Sequence, residues 1–304
     1  MTLRIDYQSQ HFPGAYQLRF GTLVTSWDEL LWAAITIGRP STYHVFRHGP
    51  ASFHEAIFRL SLIRMSAEQD WYGRLQRTNP FAALDPTEKG MVSYFLGMTV
   101  CKLFASRLLL TPWLLHLDVF RSRLNPVTLG RSRPDLVGED NAGRWHAFES
   151  KGRSSPPSSD DKTKAKGQAQ RLVSVGGQPC SLHVGSFAFF RSELLEFYWR
   201  DPIPDAEERI ELPRPDFEWR YYYEPALSLA STPEDATLAS DREKADVSVT
   251  IHPKIRRLLD GGRWSEARET AKRMGPELTS HGYQPDGLKF TAGASWSRPF
   301  ETIE

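Results

Sequence analysis

Apolar residues recur along residues 85–120 first at helical spacing and then in alternation. The segment Asp85-Pro86-Thr87-Glu88 provides an N-cap, a proline at the first helical position and an acidic third residue, and it predicts a helix over residues 86–109. Pro112 blocks continuation of that helix. Residues 113–120 alternate, and they predict a strand with one wholly apolar side.

Residues 133–137 and 145–151 predict the two strands of a β-hairpin, because a turn-rich segment at 139–143 separates them. Side chains alternate between the faces of a strand, so Glu149 and Lys151 are expected on one face and Ser150 on the other. The hairpin is expected to bring Asp135 beside Glu149. Two carboxylates next to an ammonium group offer oxygen ligands to a hard divalent cation.

A polar loop follows the hairpin, and Asp161 is expected to cap a helix over residues 162–175. Lys164, Gln168 and Arg171 recur at helical spacing and are expected on one face, which is either a substrate contact or an ordinary solvated surface. Residues 180–190 predict the next strand. The order helix, three strands, helix, strand indicates an α/β fold with a central mixed sheet flanked by helices.

The flanking regions predict N- and C-terminal accessory segments at 1–80 and 201–304, on either side of a core at 81–200. Helices are expected over 26–37, where Ser26 is the N-cap, and over 53–71. In the C-terminal segment the aromatic run at 219–223 predicts a strand, 231–245 a surface connector and 255–274 a helical hairpin.

Composition describes a soluble globular protein of 304 residues, 40% of them hydrophobic. No apolar run approaches the ~20 residues needed to cross a bilayer, so no membrane association is expected. The N-terminus lacks a signal-peptide core. Two cysteines are too few for a disulfide framework or a thiolate zinc cluster, and a cytoplasmic location is expected.

The net charge of +1 gives no indication of a nucleic-acid partner, but the charges are unevenly distributed. Residues 119–171 contain eleven Lys or Arg against six Asp or Glu, whereas residues 201–247 contain five against thirteen. A locally basic core attracts phosphates even in a nearly neutral chain. Arg121, Arg123, Arg131 and Arg133 are candidates for phosphate contacts, although a loop with exposed arginines is the ordinary explanation.

The pair Pro134-Asp135 followed by Glu149-x-Lys151 resembles the PD-(D/E)xK signature of the restriction-endonuclease-like nuclease superfamily. The resemblance covers roughly residues 81–200 and implies a restriction-endonuclease-like core. It implies that Asp135, Glu149 and the backbone carbonyl of Ser150 bind Mg²⁺, for which Mn²⁺ is expected to substitute. It also implies that Lys151 orients the attacking water or neutralises charge in the transition state.

The resemblance further implies roles for residues outside the hairpin. Glu88 is either a capping carboxylate or an additional metal ligand, and Gln168 is a further catalytic candidate. Substrate phosphates are expected to contact four basic residues, namely Lys164, Arg133, Arg153 and Arg171.

The function expected from the resemblance is Mg²⁺-dependent hydrolysis of phosphodiester bonds, with DNA as the expected substrate. The chain carries no helicase or methylase motif, so protein partners would supply such activities. The biological role expected of such a nuclease is defence against foreign DNA, restriction or repair. Two alternatives are a catalytically silent nucleic-acid-binding or interaction subunit, and a hydrolase of a small phosphorylated molecule. A deep pocket in place of a groove would favour the last.

Overall fold

The computed structural model describes residues 2–16, 19–37, 50–124, 133–201, 209–231 and 236–300. The described helices are α1 (Trp27–Thr36), α2 (Pro50–Ser66), α3 (Asn79–Ala83), α4 (Pro86–Leu108), α5 (Ser159–Gln170), α6 (Trp219–Ala230), α7 (Ala236–Ala245), α8 (Pro253–Asp260) and α9 (Trp264–Ser280). The strands are β1 (Thr2–Gln10), β2 (Phe20–Ser26), β3 (Ala67–Gln69), β4 (Leu75–Arg77), β5 (Trp113–His116), β6 (Leu136–Glu139), β7 (Trp145–Arg153), β8 (Leu172–Val175), β9 (Gln178–Arg191), β10 (Leu194–Arg200), β11 (Ile210–Leu212), β12 (Val247–Ile251) and β13 (Leu288–Ala292).

A central mixed sheet organises the fold, with its main strands in the order β2-β1-β10-β9-β7-β6-β5. The β1–β10 and β7–β9 pairs are parallel, and the other neighbours in this row are antiparallel. The predicted α/β class with a central mixed sheet flanked by helices is therefore confirmed. The N-terminal strands β1 and β2 belong to this sheet, and the division into a core and two accessory segments stays a prediction.

Helices α4 and α5 cover opposite faces of the sheet at β7. A Cβ atom added at Gly152 would overlap the carbonyl oxygen of Ser93 on α4. A Cβ atom at Gly185, which pairs with Glu149, would lie 3.5 Å from the Cβ atom of Ala165 on α5. Because Gly152 and Glu149 point to opposite faces of one strand, the two helices enclose the sheet where the predicted site lies.

Most predicted elements of the core are present with shifted ends. Helix α4 starts with the expected capping box of Asp85 and Glu88. Helix α5 begins earlier than predicted, because Ser158 is its N-cap and Asp161 is the reciprocal partner in the box. The predicted extension of this helix to residue 175 is wrong, since residues 172–175 form β8.

Two further assignments from sequence are wrong. The aromatic run at 219–223 is the first part of helix α6, in which Trp219, Tyr222, Tyr223 and Ala226 are buried at helical spacing. The strand predicted over 113–120 stops at His116, where a 3-10 helix (Leu117–Arg123) begins. The predicted surface connector contains α7, while residues 232–235 lie outside the described residues.

A buried polar network joins the core to both flanking segments. The Lys102 ammonium on α4 donates to the Thr36 carbonyl at 3.0 Å and to the Tyr222 hydroxyl at 2.9 Å. Asp286, before β13, accepts hydrogen bonds from Tyr222 and from the Trp32 indole, each at 2.6 Å. Burial lowers the pKa of Lys102 well below its ordinary value and raises the pKa of Asp286. The network therefore ties α1, α4, α6 and the segment before β13 to one another.

Within the described residues, no helix has the length and apolar character to cross a membrane.

Candidate active site

The β6–β7 hairpin brings the predicted carboxylates together. Leu136 pairs with Phe148 in an antiparallel ladder, which sets Asp135, the residue before β6, opposite Glu149. The backbone N–H of Ser150 donates to Asp135 Oδ2 at 3.0 Å, and the Asp135 carbonyl accepts from the N–H of Leu117 at 2.8 Å. Asp135 is therefore held by Ser150 of β7 and by Leu117, the residue that follows β5.

Glu149 is fully buried, which is unusual for a carboxylate. It forms an ion pair with Lys151, whose side chain is 38% exposed. Apart from this ion pair, neither oxygen of Glu149 has a hydrogen-bond partner among the described residues. A buried carboxylate with so few partners is costly, and a bound cation would offset that cost.

The pKa values show which effects dominate at this carboxylate pair. Burial, followed by the negative charge of Asp135, raises the pKa of Glu149 to about 8 although Lys151 opposes the shift. Burial also raises the pKa of Asp135, and Lys151 and the Ser150 N–H partly offset it. Burial lowers the pKa of Lys151, but Glu149 reverses this, so the pKa of the ammonium group is raised overall. The environment of Glu149 therefore favours its protonated form until positive charge is added.

The donor set fits a hard divalent cation. Asp135 and Glu149 supply carboxylate oxygens, and Mg²⁺ is typically held by one or two carboxylates together with water and substrate phosphate. In the part of the chain that is described, no three His, Cys, Asp or Glu side chains form a metal-binding group. Asp135 and Glu149 are thus the side-chain donors that the hairpin places together, and the backbone carbonyl of Ser150 stays a predicted third ligand.

A second hydrogen-bonded group adjoins Asp135 on the α4 side of the sheet. The Tyr94 hydroxyl and His116 Nε2 are 3.3 Å apart, and His116 Nδ1 accepts from the backbone N–H of Asp118 at 3.2 Å. Asp118 in turn accepts from Arg133 Nε at 2.9 Å. Burial lowers the pKa of His116 to about 4, so its ring is neutral at pH 7. The predicted strand over residues 113–120 would have placed His116 and Asp118 on one face, but the strand ends between them.

Tyr94 is a site neighbour that sequence reasoning missed. Burial and then the charge of Asp135 raise its pKa above the ordinary value. Its position in an apolar helical pattern marks it as a core residue, and only the tertiary fold brings it close to Asp135.

The predicted site residues outside the hairpin differ in their hydrogen-bond partners and in their exposure. Glu88 accepts from the backbone N–H of Asp85 at 3.2 Å, which is its capping role, and its role as a metal ligand stays a prediction. Lys164 is exposed on α5, whereas Arg171 is its C-cap residue and only 8% exposed. The predicted common face of Lys164, Gln168 and Arg171 is therefore not uniformly solvated. The catalytic role of Gln168 stays a prediction.

The arginines proposed to contact phosphate have carboxylate partners. Arg133 binds Asp118, Arg123 binds Glu218 at 2.8 Å, and Arg153 binds Asp161. Arg121 lies 4.0 Å from Asp118, and its side chain is 64% exposed. Arg131 is outside the described residues.

Searches of protein-family models, curated proteins and solved structures returned no match to this chain.

Proposed function

We propose that this chain is a divalent-metal-dependent nuclease with a restriction-endonuclease-like core, and that DNA is its substrate. The observation that supports the proposal most strongly is the buried Glu149 carboxylate, which lies beside Asp135 and, apart from its ion pair with Lys151, has no hydrogen-bond partner among the described residues. Structural salt bridges rarely bury a carboxylate beside a second carboxylate, because both charges resist the move out of water. Perturbed carboxylates of this kind concentrate at functional sites.

The proposed mechanism assigns one role to each member of the site. Asp135 and Glu149 would hold the cation, which would supply a water of lowered pKa and polarise the scissile phosphate. In the hydrolysis the water oxygen forms a bond to phosphorus as the bond to the leaving sugar oxygen breaks. The attacking water gives up a proton to solvent, and the leaving oxygen takes up a proton from solvent. Lys151, whose raised pKa keeps it charged, stabilises the negative charge that develops on the phosphoryl oxygens.

The surroundings of Lys151 favour a polymeric substrate over a small molecule. Lys151 lines a groove of about 450 Å³ between α4 and the end of β7. The groove also contains Lys89 and Arg153; Arg153 pairs with Asp161, and Lys89 places positive charge beside the carboxylates. A polyanion that follows this surface is attracted before it reaches the site.

The test is a cleavage assay with plasmid DNA, linear duplex, single-stranded DNA and RNA in Mg²⁺, in Mn²⁺ and in EDTA. We expect cleavage with either metal and none in EDTA. Because Lys151→Ala removes the charge that stabilises the transition state, it should lower the rate by about 10²-fold or more. Lys254→Ala removes a similar charge from an exposed ion pair on α8 and is expected to cleave like the wild type.

Two results would overturn the proposal. One is wild-type cleavage by a folded Lys151→Ala variant. The other is binding of DNA without metal and without cleavage of any substrate, which would identify a silent nucleic-acid-binding module.

A further inference from the structure

The groove beside Lys151 is formed where the start of α4 meets the end of β7. Its polar side chains are Lys89, Ser93, Lys151, Arg153, Ser154 and Ser155. The contact between the two elements is close, since a Cβ atom at Gly97 would lie 2.5 Å from the backbone nitrogen of Gly152. Glycines on both sides thus allow the helix to approach the strand and bring Ser93 near Lys151 and Arg153.

The groove concentrates positive charge. Three of its lining residues are cationic and none is acidic. Two of these cations have carboxylate partners: Lys151 pairs with Glu149, and Arg153 pairs with Asp161. Lys89 forms no ion pair with any residue that the structure describes.

Ser93 adds a buried hydrogen-bonding group. Ser93 is 3% exposed, and its hydroxyl has no hydrogen-bond partner among the described residues. An unsatisfied buried hydroxyl carries a free-energy cost that a ligand oxygen would remove. The ammonium group of Lys89, which has no ion pair among the described residues, and this buried hydroxyl together favour an acceptor with anionic oxygens.

We propose that this groove binds a second phosphate of the substrate strand, next to the phosphate that is cleaved; the proposal rests on the nuclease function above. Lys151 belongs to both the groove and the carboxylate site, so the two phosphates lie side by side. Lys89 contributes charge and Ser93 a neutral hydrogen bond. The groove therefore sets the position of the strand relative to the carboxylates, and Lys89 and Ser93 are positioning residues.

The test measures the Kd of a fluorescein-labelled oligonucleotide by anisotropy in Ca²⁺ over a range of salt concentrations. Because Lys89→Ala removes one phosphate contact, it should weaken binding about tenfold at low salt and reduce the slope of log K against log salt by about 1. Ser93→Ala should weaken binding without changing that slope, because its hydroxyl is neutral. Lys89→Arg should restore both quantities.

Lys289→Ala, on the exposed side of β13, is the matched control and should alter neither affinity nor slope. In cleavage assays, Lys89→Ala is expected to raise KM while kcat stays close to that of the wild type. A Lys89→Ala variant with wild-type Kd and salt slope, in an enzyme that cleaves DNA, would overturn the groove assignment alone.

Inorganic pyrophosphate separates this inference from the nuclease function. Calorimetric binding of pyrophosphate that is lost in Lys89→Ala, in a protein that cleaves no nucleic acid, would support the anion site and refute the nuclease.

Circular and linear strands distinguish the source of the phosphate. An equal effect of Lys89→Ala on both identifies an internal phosphate, whereas an effect confined to 5′-phosphorylated linear strands identifies a terminal one.

Discussion

Replacing Glu149 with Gln is expected to lower Mg²⁺-dependent cleavage about 10²–10³-fold, because the amide keeps the shape of the side chain but loses its charge. Glu149 is the most deeply buried carboxylate of the site, and its replacement leaves Asp135 to hold the cation in place of a pair of carboxylates. The measurement is the initial rate of cleavage of a labelled duplex at saturating Mg²⁺. Circular dichroism verifies that the variant is folded.

Glu149→Gln is also expected to change the stability of the metal-free protein, and here the variant gains over the wild type as pH rises. Glu149 has a folded-state pKa of about 8 against an ordinary value of 4.5, so the folded metal-free protein retains a proton that the unfolded chain has released. Its contribution to the free energy of unfolding therefore falls as pH rises from about 4.5 to about 8. Glu149→Gln removes this contribution, and the difference in Tm between variant and wild type in EDTA should grow over that pH range in favour of the variant.

Glu196→Gln, an exchange at a partly exposed position on β10, provides the matched control. It should retain wild-type cleavage and the wild-type pH dependence of Tm. A Glu149→Gln variant that cleaves at the wild-type rate would remove Glu149 from the site. A pH-independent Tm difference would show that Glu149 is not the buried acid described above.

Asp286→Ala is expected to lower the free energy of unfolding by about 3–5 kcal/mol, since it leaves the buried partners of Asp286 without their acceptor. The Trp32 indole, the Tyr222 hydroxyl and the backbone N–H of Leu288 all lose a hydrogen bond to Asp286. Lys102 also loses the carboxylate charge nearest to its buried ammonium group. Urea denaturation followed by tryptophan fluorescence measures the change.

Asp260→Ala is the control for this prediction, because Asp260 is half exposed and forms an i,i+4 ion pair with Arg256. Removing it should cost about 0.3–0.5 kcal/mol. If Asp286→Ala were as mild as Asp260→Ala, the buried network would not be what joins the flanking segments to the core.

The sequence is most informative where local chemistry and tertiary structure agree. The start of α4 is set by Asp85, Pro86 and Glu88, which are adjacent in sequence and satisfy one another in the structure. The β6–β7 hairpin is set by a turn and two short strands, so the juxtaposition of Asp135 and Glu149 follows from local pairing. In both cases the partners are within about twenty residues of one another.

The aromatic run at 219–223 is predicted wrongly because contacts with distant parts of the chain determine its structure. The aromatic residues of α6 have a high preference for strands, but Tyr222 and Tyr223 are buried as a helical stripe against α1, β5 and Asp286. Burial overrides intrinsic preference in such a segment. The start of α5 is missed for a local reason: Ser158 and Asp161 exchange hydrogen bonds, which makes Ser158 the N-cap and places Asp161 in the first turn.

For the site, the sequence identifies the residues that carry charge but not those that shape their environment. Tyr94 and His116 lie 22 residues apart and meet only because α4 packs across the sheet. The raised pKa of Glu149 depends on complete burial, which a pattern of polar and apolar residues around a strand end does not reveal.

The central claim is that Asp135 and Glu149 together bind the cation on which cleavage depends. It is tested most directly by an anomalous difference map from crystals of the wild-type protein soaked in Mn²⁺. The account predicts a peak between the two carboxylates, within about 2.0–2.3 Å of an oxygen of each. A saturating Mn²⁺ soak that places no ion there, with Glu149 still paired to Lys151, would contradict it.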